Sequence, residues 1–167
     1  MSQQRAGESW DVLARAAAHA REARDESTSL RELLWVEVGG EPYALPIERV
    51  REIVRMCPLT RVPRAPALVL GVISLRGEIV QVLDLRRALG AAAPPPTRRS
   101  RIVVLHSEAG EIAGWLVDAV SQVLRVPEAE LLPPLGDAGE LVTAICVRDE
   151  RFVSLLEPDR MQSLVAA

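Results

Sequence analysis

Apolar and polar residues alternate with a period of two from residue 33 onward, which is typical of β-strands. The alternation predicts strands over residues 33–38 and 43–47, joined by a tight hairpin turn at Gly39-Gly40. It continues over residues 50–54. The chain therefore begins its regular part with a β-hairpin followed by a third strand.

Residues 68–90 form the most apolar block of the chain. Two β-branched runs flank Arg76-Gly77, which predicts a second hairpin turn. Both runs are almost continuously apolar, so we expect both faces of these strands to be covered. Residues 85–89 can form one helical turn closed by Gly90.

The remaining strands are predicted at 102–106, 111–118, 141–148 and 152–156. Residues 120–126 fit either a helical turn or a twisted strand, residues 127–140 are loop-like, and the tail from Pro158 to Val165 can form a short helix.

Two proline-containing connectors, residues 57–66 and 91–101, interrupt the strands. Short strands with turn signals every 8–12 residues are typical of an all-β sandwich or barrel. We predict an all-β fold of two small packed barrels with short helices, divided near residues 90–101.

Residues 1–31 differ from the rest in composition and are predicted to be an N-terminal helical extension. A helix over Ser9–Arg24 would place Trp10 and Leu13 on one side, together with alanines. That stripe can bury little area. The extension is either frayed and loosely docked, or a helix that docks on its own barrel or on a partner.

The composition fits one soluble domain of 167 residues and excludes several classes of function. All 20 basic residues are arginine and the net charge is −3, which gives no basic face for nucleic acid. The longest apolar stretch, Ala65–Leu75, is too short and too broken for membrane insertion, and no segment resembles a signal peptide. We expect a cytoplasmic protein.

The sequence offers no catalytic or metal-binding signature. Cys57 and Cys146 are far apart, and His19 and His106 have no metal ligand at a suitable spacing. Asp84 and Asp118 each follow an apolar strand, where carboxylates commonly cap turns. We therefore predict no enzyme activity and no cofactor.

One charged pair stands out. Glu52 lies within a predicted strand, and Arg76 lies at a hairpin tip beside Gly77, where a partner could approach closely. The pair could orient a side chain beside an apolar groove, or it could be an ordinary surface ion pair.

Several motifs closely resemble the CheW-like family of chemotaxis coupling proteins, over residues 32–165. They are Val50-Arg51-Glu52-Ile53, Pro63-x-x-Pro66, the run Gly71-Val72-Ile73-Ser74-Leu75-Arg76-Gly77-Glu78-Ile79-Val80, Asp84-Leu85-Arg86, and Gly114-x-x-Val117-Asp118-x-Val120. Ser74 and Gln81 depart from the family, in which Asn and Pro are common at these positions.

The resemblance implies two five-stranded SH3-like barrels with a hydrophobic interface. It also implies a non-catalytic adaptor that joins the regulatory domain of a histidine kinase to the cytoplasmic tip of chemoreceptors. Glu52 and Arg76 match the family's charged pair beside the receptor groove. Positions associated with partner contact or groove shape are Val50, Gly71, Gly77, Val103, Gly114, Val120 and Val123, for which a packing role is the alternative. A small-ligand sensor with its ligand between the barrels is the alternative function.

Overall fold

The computed structural model describes residues 29–166 together with positions 15, 16 and 18. This part of the chain is mainly β-structure. The strands are β1 (Leu30–Val38), β2 (Glu41–Pro46), β3 (Val50–Arg55), β4 (Val69–Leu75), β5 (Glu78–Asp84), β6 (Arg101–His106), β7 (Ile112–Val117), β8 (Ala119–Pro127), β9 (Val142–Arg148) and β10 (Arg151–Leu156). The α-helices are α1 (Leu85–Ala88) and α2 (Pro158–Ala166), and short 3-10 helices cover Ile47–Arg49 and Glu128–Glu130.

The strands form two five-stranded sheets with the same pattern of pairing. Sheet 1 has the order β8-β1-β2-β10-β9, and sheet 2 has the order β3-β6-β7-β5-β4. Each sheet contains an antiparallel hairpin, β9–β10 or β4–β5. One strand of the hairpin pairs in parallel with the rest of the sheet, β10 with β2 in sheet 1 and β5 with β7 in sheet 2. The all-β prediction with two five-stranded units is therefore confirmed.

The predicted division near residues 90–101 is wrong. That connector joins β5 to β6 within sheet 2, and sheet 1 combines β1 and β2 with the three last strands. The two units are thus not the two halves of the chain. Pairing between distant strands decided this, and local patterns carry no information about it.

Three apolar clusters explain why so many strands are apolar on both faces. Trp35 and Val153 belong to a core within sheet 1, and Val80 and Val104 belong to a core within sheet 2. A third and larger cluster lies between the sheets and includes Leu34, Val36 and Leu45 of sheet 1 and Leu83, Val103 and Trp115 of sheet 2. Each sheet therefore curls around its own core and packs its other face against its partner sheet.

The sheets are open rather than closed barrels. Their edge strands do not pair with each other, and each open side is crossed by a single bridge, Thr60 with Val72 in sheet 2 and Leu132 with Ile145 in sheet 1. The closed barrels implied by the resemblance are not formed by these ladders, because the segments after β3 and β8 contribute only one paired residue each.

Other sequence expectations have mixed outcomes. Residues 120–126 lie in strand β8, and the helical turn at 85–89 and the C-terminal helix are present. The expectation that both faces of the 68–90 block are covered fails next to the hairpin tip, where Ile79 is 72% exposed and belongs to none of the three clusters. The predicted helix Ser9–Arg24 lies outside the described residues except for positions 15, 16 and 18, which are helical. No helix in the described part of the chain is long and apolar enough to cross a membrane.

Candidate functional site

Glu52 and Arg76 form an ion pair on the surface of sheet 2. Glu52 lies on edge strand β3, and Arg76 lies in the β4–β5 turn. Arg76 Nε donates to Glu52 Oε2 at 3.1 Å, and a second Arg76 nitrogen donates to Glu52 Oε1 at 3.4 Å. This two-point contact fixes the plane of the guanidinium. Hydrogen bonding to Glu52, and then its charge, raise the pKa of Arg76.

The backbone conformation of the β4–β5 turn orients Arg76. Both central residues have a positive φ, 51° for Arg76 and 82° for Gly77, which is the geometry of a two-residue hairpin turn. A Cβ on Gly77 would meet nothing within 4 Å, so this glycine serves the turn conformation and leaves open space beside Arg76.

A second ion pair repeats the contact with the charges reversed. Arg51 of β3 lies 2.5 Å from the carboxylate of Glu78, which begins β5. Because β3 and β4 are the two edge strands of sheet 2, both pairs tie the β4–β5 hairpin to the opposite edge. Sequence reasoning missed this pair, although Arg51-Glu52 and Arg76-x-Glu78 each contain an arginine followed closely by a glutamate, which was available as a signal.

Apolar residues line the two outer edges of the inter-sheet core. Val50 of β3 and Val120 of β8 both pack against that core while remaining partly exposed. Farther out, Ile53 is 40% exposed and Val123 is 49% exposed. The cross-strand partner of Ile53 is Val103 and that of Val123 is Leu34, and both partners belong to the inter-sheet core. Ile53 and Val123 therefore lie on the faces that meet between the sheets.

We name Val50, Ile53, Val120 and Val123 the apolar margin. It contains three of the predicted site residues and adds Ile53, which sequence reasoning did not select. The signal for Ile53 was its alternation with Arg51 and Arg55, because arginines two residues away on both sides mark a position near solvent.

Three other predicted positions act through packing. Val103 has no exposed surface and lies in the inter-sheet core, so it can shape the site but cannot contact a partner. Gly71 faces the carbonyl oxygen of Thr60, which a Cβ would approach to 2.5 Å. A Cβ on Gly114 would lie 2.8 Å from Ile102 Cγ2 in the core of sheet 2.

A buried ion network connects the two sheets on one side. Arg86 binds both oxygens of Asp84 at 2.8 and 2.9 Å and donates to Asp118 Oδ1 at 3.3 Å. The other Asp118 oxygen accepts the backbone N–H of Gly39 in the β1–β2 turn at 2.7 Å. Hydrogen bonding to the Asp84 carboxylate raises the pKa of Arg86. The two carboxylates noted in the sequence thus have a structural role.

A second, more exposed ion network of the same kind lies beside the start of β3. Arg49, next to β3, contacts Asp159 of α2 at 2.9 Å and Glu108 of the β6–β7 turn at 3.1 Å. Asp159 also accepts the backbone N–H of Glu108 at 2.8 Å. In both networks an arginine joins two carboxylates, and one of these carboxylates accepts the backbone N–H of a residue in a hairpin turn.

The described residues show no cluster suited to metal binding. They contain no group of three or more His, Cys, Asp or Glu side chains that could hold a metal ion. The ring nitrogens of His106 lie near the carbonyl oxygens of Glu48 and Ser107, which places the imidazole in a turn contact. Burial raises the pKa of the Cys146 thiol and so disfavours its reactive thiolate form.

Comparison with known proteins identifies close relatives. Residues 32–165 match the model of the CheW-like domain family. The chain is 36% identical over 133 residues to chemotaxis protein CheW of Rhizobium meliloti (strain 1021), covering 77% of this chain and 85% of that protein. It is 38% identical over 125 residues to protein FrzA of Myxococcus xanthus, covering 72% and 74%. The crystal structure of scaffolding protein TtCheW from Thermoanaerobacter tengcongensis superposes with a TM-score of 0.71 at 28% identity, covering 77% of this chain and 85% of that one.

Proposed function

Because the chain belongs to the CheW-like domain family, we propose that it is a non-catalytic adaptor that couples chemoreceptors to a histidine kinase in a chemotaxis-type signalling array. Its partners are the cytoplasmic tip of the receptors and the regulatory domain of the kinase. It works in the cytoplasm and reaches the membrane through these partners. The two sheets correspond to the two SH3-like units of the family.

The observation that carries this proposal is the two-point ion pair between Arg76 and Glu52 at the open side of sheet 2. A receptor tip is a bundle of helices, which binds by inserting apolar side chains into a groove and by matching charge at its rim. The apolar margin offers the first kind of contact. The fixed guanidinium of Arg76, 74% exposed, offers the second.

Coupling needs no chemistry within the adaptor. One partner held at the apolar margin and another held on a different surface restrict each other through the rigid inter-sheet core. A coupling free energy of about 1–3 kcal/mol between two sites is enough to bias the activity of a kinase.

The test is co-elution of the full chain with the kinase regulatory domain and a receptor-tip fragment from the same host. The unmodified chain should form a ternary complex. Arg76→Glu should weaken binding of the receptor fragment and leave binding of the kinase domain intact.

Arg61→Glu is the matched control, because it makes the same charge change on another exposed arginine, outside the β3–hairpin contact. It should bind both partners as the unmodified chain does. If the folded protein binds neither partner, the adaptor function is wrong; if both charge reversals weaken the receptor equally, the assignment of the site to Arg76 is wrong.

A further inference from the structure

An open groove lies where the β5–β6 connector passes the β1–β2 turn. It has a volume of about 890 Å³. We name it the connector groove. Its main lining residues are Gly40, Pro94, Pro95, Arg98, Arg99 and Arg151. Neither the Glu52–Arg76 pair nor the apolar margin lines it.

The free charge of the connector groove is positive, although the whole chain carries −3. Arg98 and Arg99 are exposed, and neither has an ion-pair partner among the residues that the structure describes. Two carboxylates also line the groove, but both are engaged. Asp118 is bound by Arg86 and by the Gly39 amide, and Glu37 accepts from the Trp35 indole and lies 3.6 Å from Arg151.

Partly buried hydrogen bonds hold the walls of the groove in place. Arg86 donates to the carbonyl oxygen of Pro94 at 2.7 Å, which fixes the connector on the inter-sheet network. The hydroxyl of buried Ser100 accepts from the Thr97 amide at 2.9 Å, and the Ser100 amide donates back to the Thr97 carbonyl. This closed turn presents Arg98 and Arg99 side by side. A binder would therefore meet a surface that is already ordered.

Arg151 belongs to the opposite wall. It donates to the carbonyl oxygen of Gly40 at 2.8 Å, so that its guanidinium stays at the rim of the groove. The remaining lining comes from prolines, Gly40 and Ala119, which we call the floor of the groove. These residues offer apolar carbon atoms and backbone polar groups. Such a floor accepts an extended chain, while the rim recognises carboxylates.

We propose that the connector groove binds an acidic peptide segment of a protein partner. The arginines would bind its carboxylates through charge-assisted hydrogen bonds, and the proline-rich floor would contact its backbone and apolar atoms. A peptide fits better than a small anion because the groove is open to solvent, whereas small-molecule sites bury most of their ligand. This contact adds to the two partners of the proposed adaptor and does not depend on them.

The experiment uses the full chain and a short fluorescein-labelled peptide of alternating glutamate and alanine. A peptide with glutamine in place of glutamate serves as the neutral probe. Fluorescence anisotropy should show binding of the acidic peptide that weakens with added salt, and no comparable binding of the neutral one. The double variant Arg98→Gln, Arg99→Gln should lose about tenfold or more in affinity.

The double variant Arg61→Gln, Arg64→Gln is the matched control, since it removes the same charge from another exposed loop. It should bind the acidic peptide as the unmodified chain does. An equal loss in both double variants, or displacement of the peptide by millimolar inorganic phosphate alone, overturns the proposal. Because receptor and kinase binding are measured separately, their failure would leave this result standing, and the reverse also holds.

Discussion

Arg76 and Glu52 meet across the open side of one sheet, although 24 residues separate them in the chain. Glu52 belongs to one edge strand, and Arg76 belongs to the hairpin that carries the other. The adjacent Arg51–Glu78 pair repeats the contact with opposite polarity. Side chains thus connect two edges that backbone hydrogen bonds join only at Thr60 and Val72.

The first prediction concerns the order of charges in the Glu52–Arg76 pair. The exchange Glu52→Arg, Arg76→Glu keeps an ion pair but moves the exposed positive charge to β3. If the receptor binds the Arg76 guanidinium directly, the exchange should not restore the receptor binding that Arg76→Glu loses. The measurement is pull-down of a receptor-tip fragment by each variant; full recovery in the exchanged variant would mean that the pair serves only to hold the hairpin.

The second prediction separates the apolar margin from the core behind it. Val123→Asp places a charge on a half-exposed strand position, so it should reduce receptor binding with little change in the thermal unfolding midpoint. Val103→Asp places an unpaired carboxylate in the inter-sheet core and should destabilise the fold by about 3–5 kcal/mol or prevent folding. Receptor pull-down and thermal melts of both variants check this. A Val123→Asp protein that melts as early as Val103→Asp would contradict the assignment.

The third prediction concerns the buried network. Arg86→Met removes the partner of Asp84, which is 1% exposed, and leaves a buried carboxylate without its counter-charge. Loss of one member of a buried ion pair costs about 3–5 kcal/mol in free energy of unfolding. Arg87→Met is the control, because Arg87 is exposed and its 3.6 Å contact with Asp84 is peripheral. Urea unfolding should show a much larger loss for Arg86→Met, and equal losses would refute the role of the network.

The fourth prediction compares two glycines of one hairpin. Gly71→Ala drives a Cβ against the backbone of Thr60, so it should break the Thr60–Val72 bridge and destabilise the protein by a few kcal/mol. Gly77→Ala meets open space and should cost only about 1–2 kcal/mol, from the positive φ alone. Chemical denaturation of the two variants gives the comparison. Similar midpoints would show that the segment around Thr60 yields easily.

The fifth prediction concerns alkaline pH. Burial raises the pKa of Cys146 and also that of Tyr43 above their ordinary values. Both groups keep their protons longer when folded, so their contribution to stability is complete below the unfolded pKa values and is lost as the pH rises through the folded ones. The free energy of unfolding should therefore decline between about pH 8 and pH 11.

Urea titrations at several pH values measure this decline. Cys146→Ala should flatten part of it, and Cys57→Ala, which removes the less buried of the two thiols, is the control substitution. A pH profile that the Cys146 substitution leaves unchanged would contradict the assignment.

Local sequence patterns determined most of the strands and the hairpin turns, and left only the β8 region open between a helical turn and a strand. The period-two alternation fixes strands, and Gly39-Gly40 and Arg76-Gly77 fix turns through backbone conformations that few residues adopt. The motifs around Glu52 and around Leu75-Arg76-Gly77 also identified the family and the two members of the charged pair, because each motif depends on consecutive residues. Each of these signals is encoded within a few positions of the chain.

Only the tertiary structure decided which strands share a sheet. Residues 30–46 complete the sheet of residues 119–156 rather than that of their neighbours in sequence, since burial of the inter-sheet core rewards this pairing and no local signal records it. The same holds for Asp84 and Asp118, joined by Arg86, and for Ile53 at the apolar margin. Their roles arise from long-range packing, which brings together residues that the sequence keeps far apart.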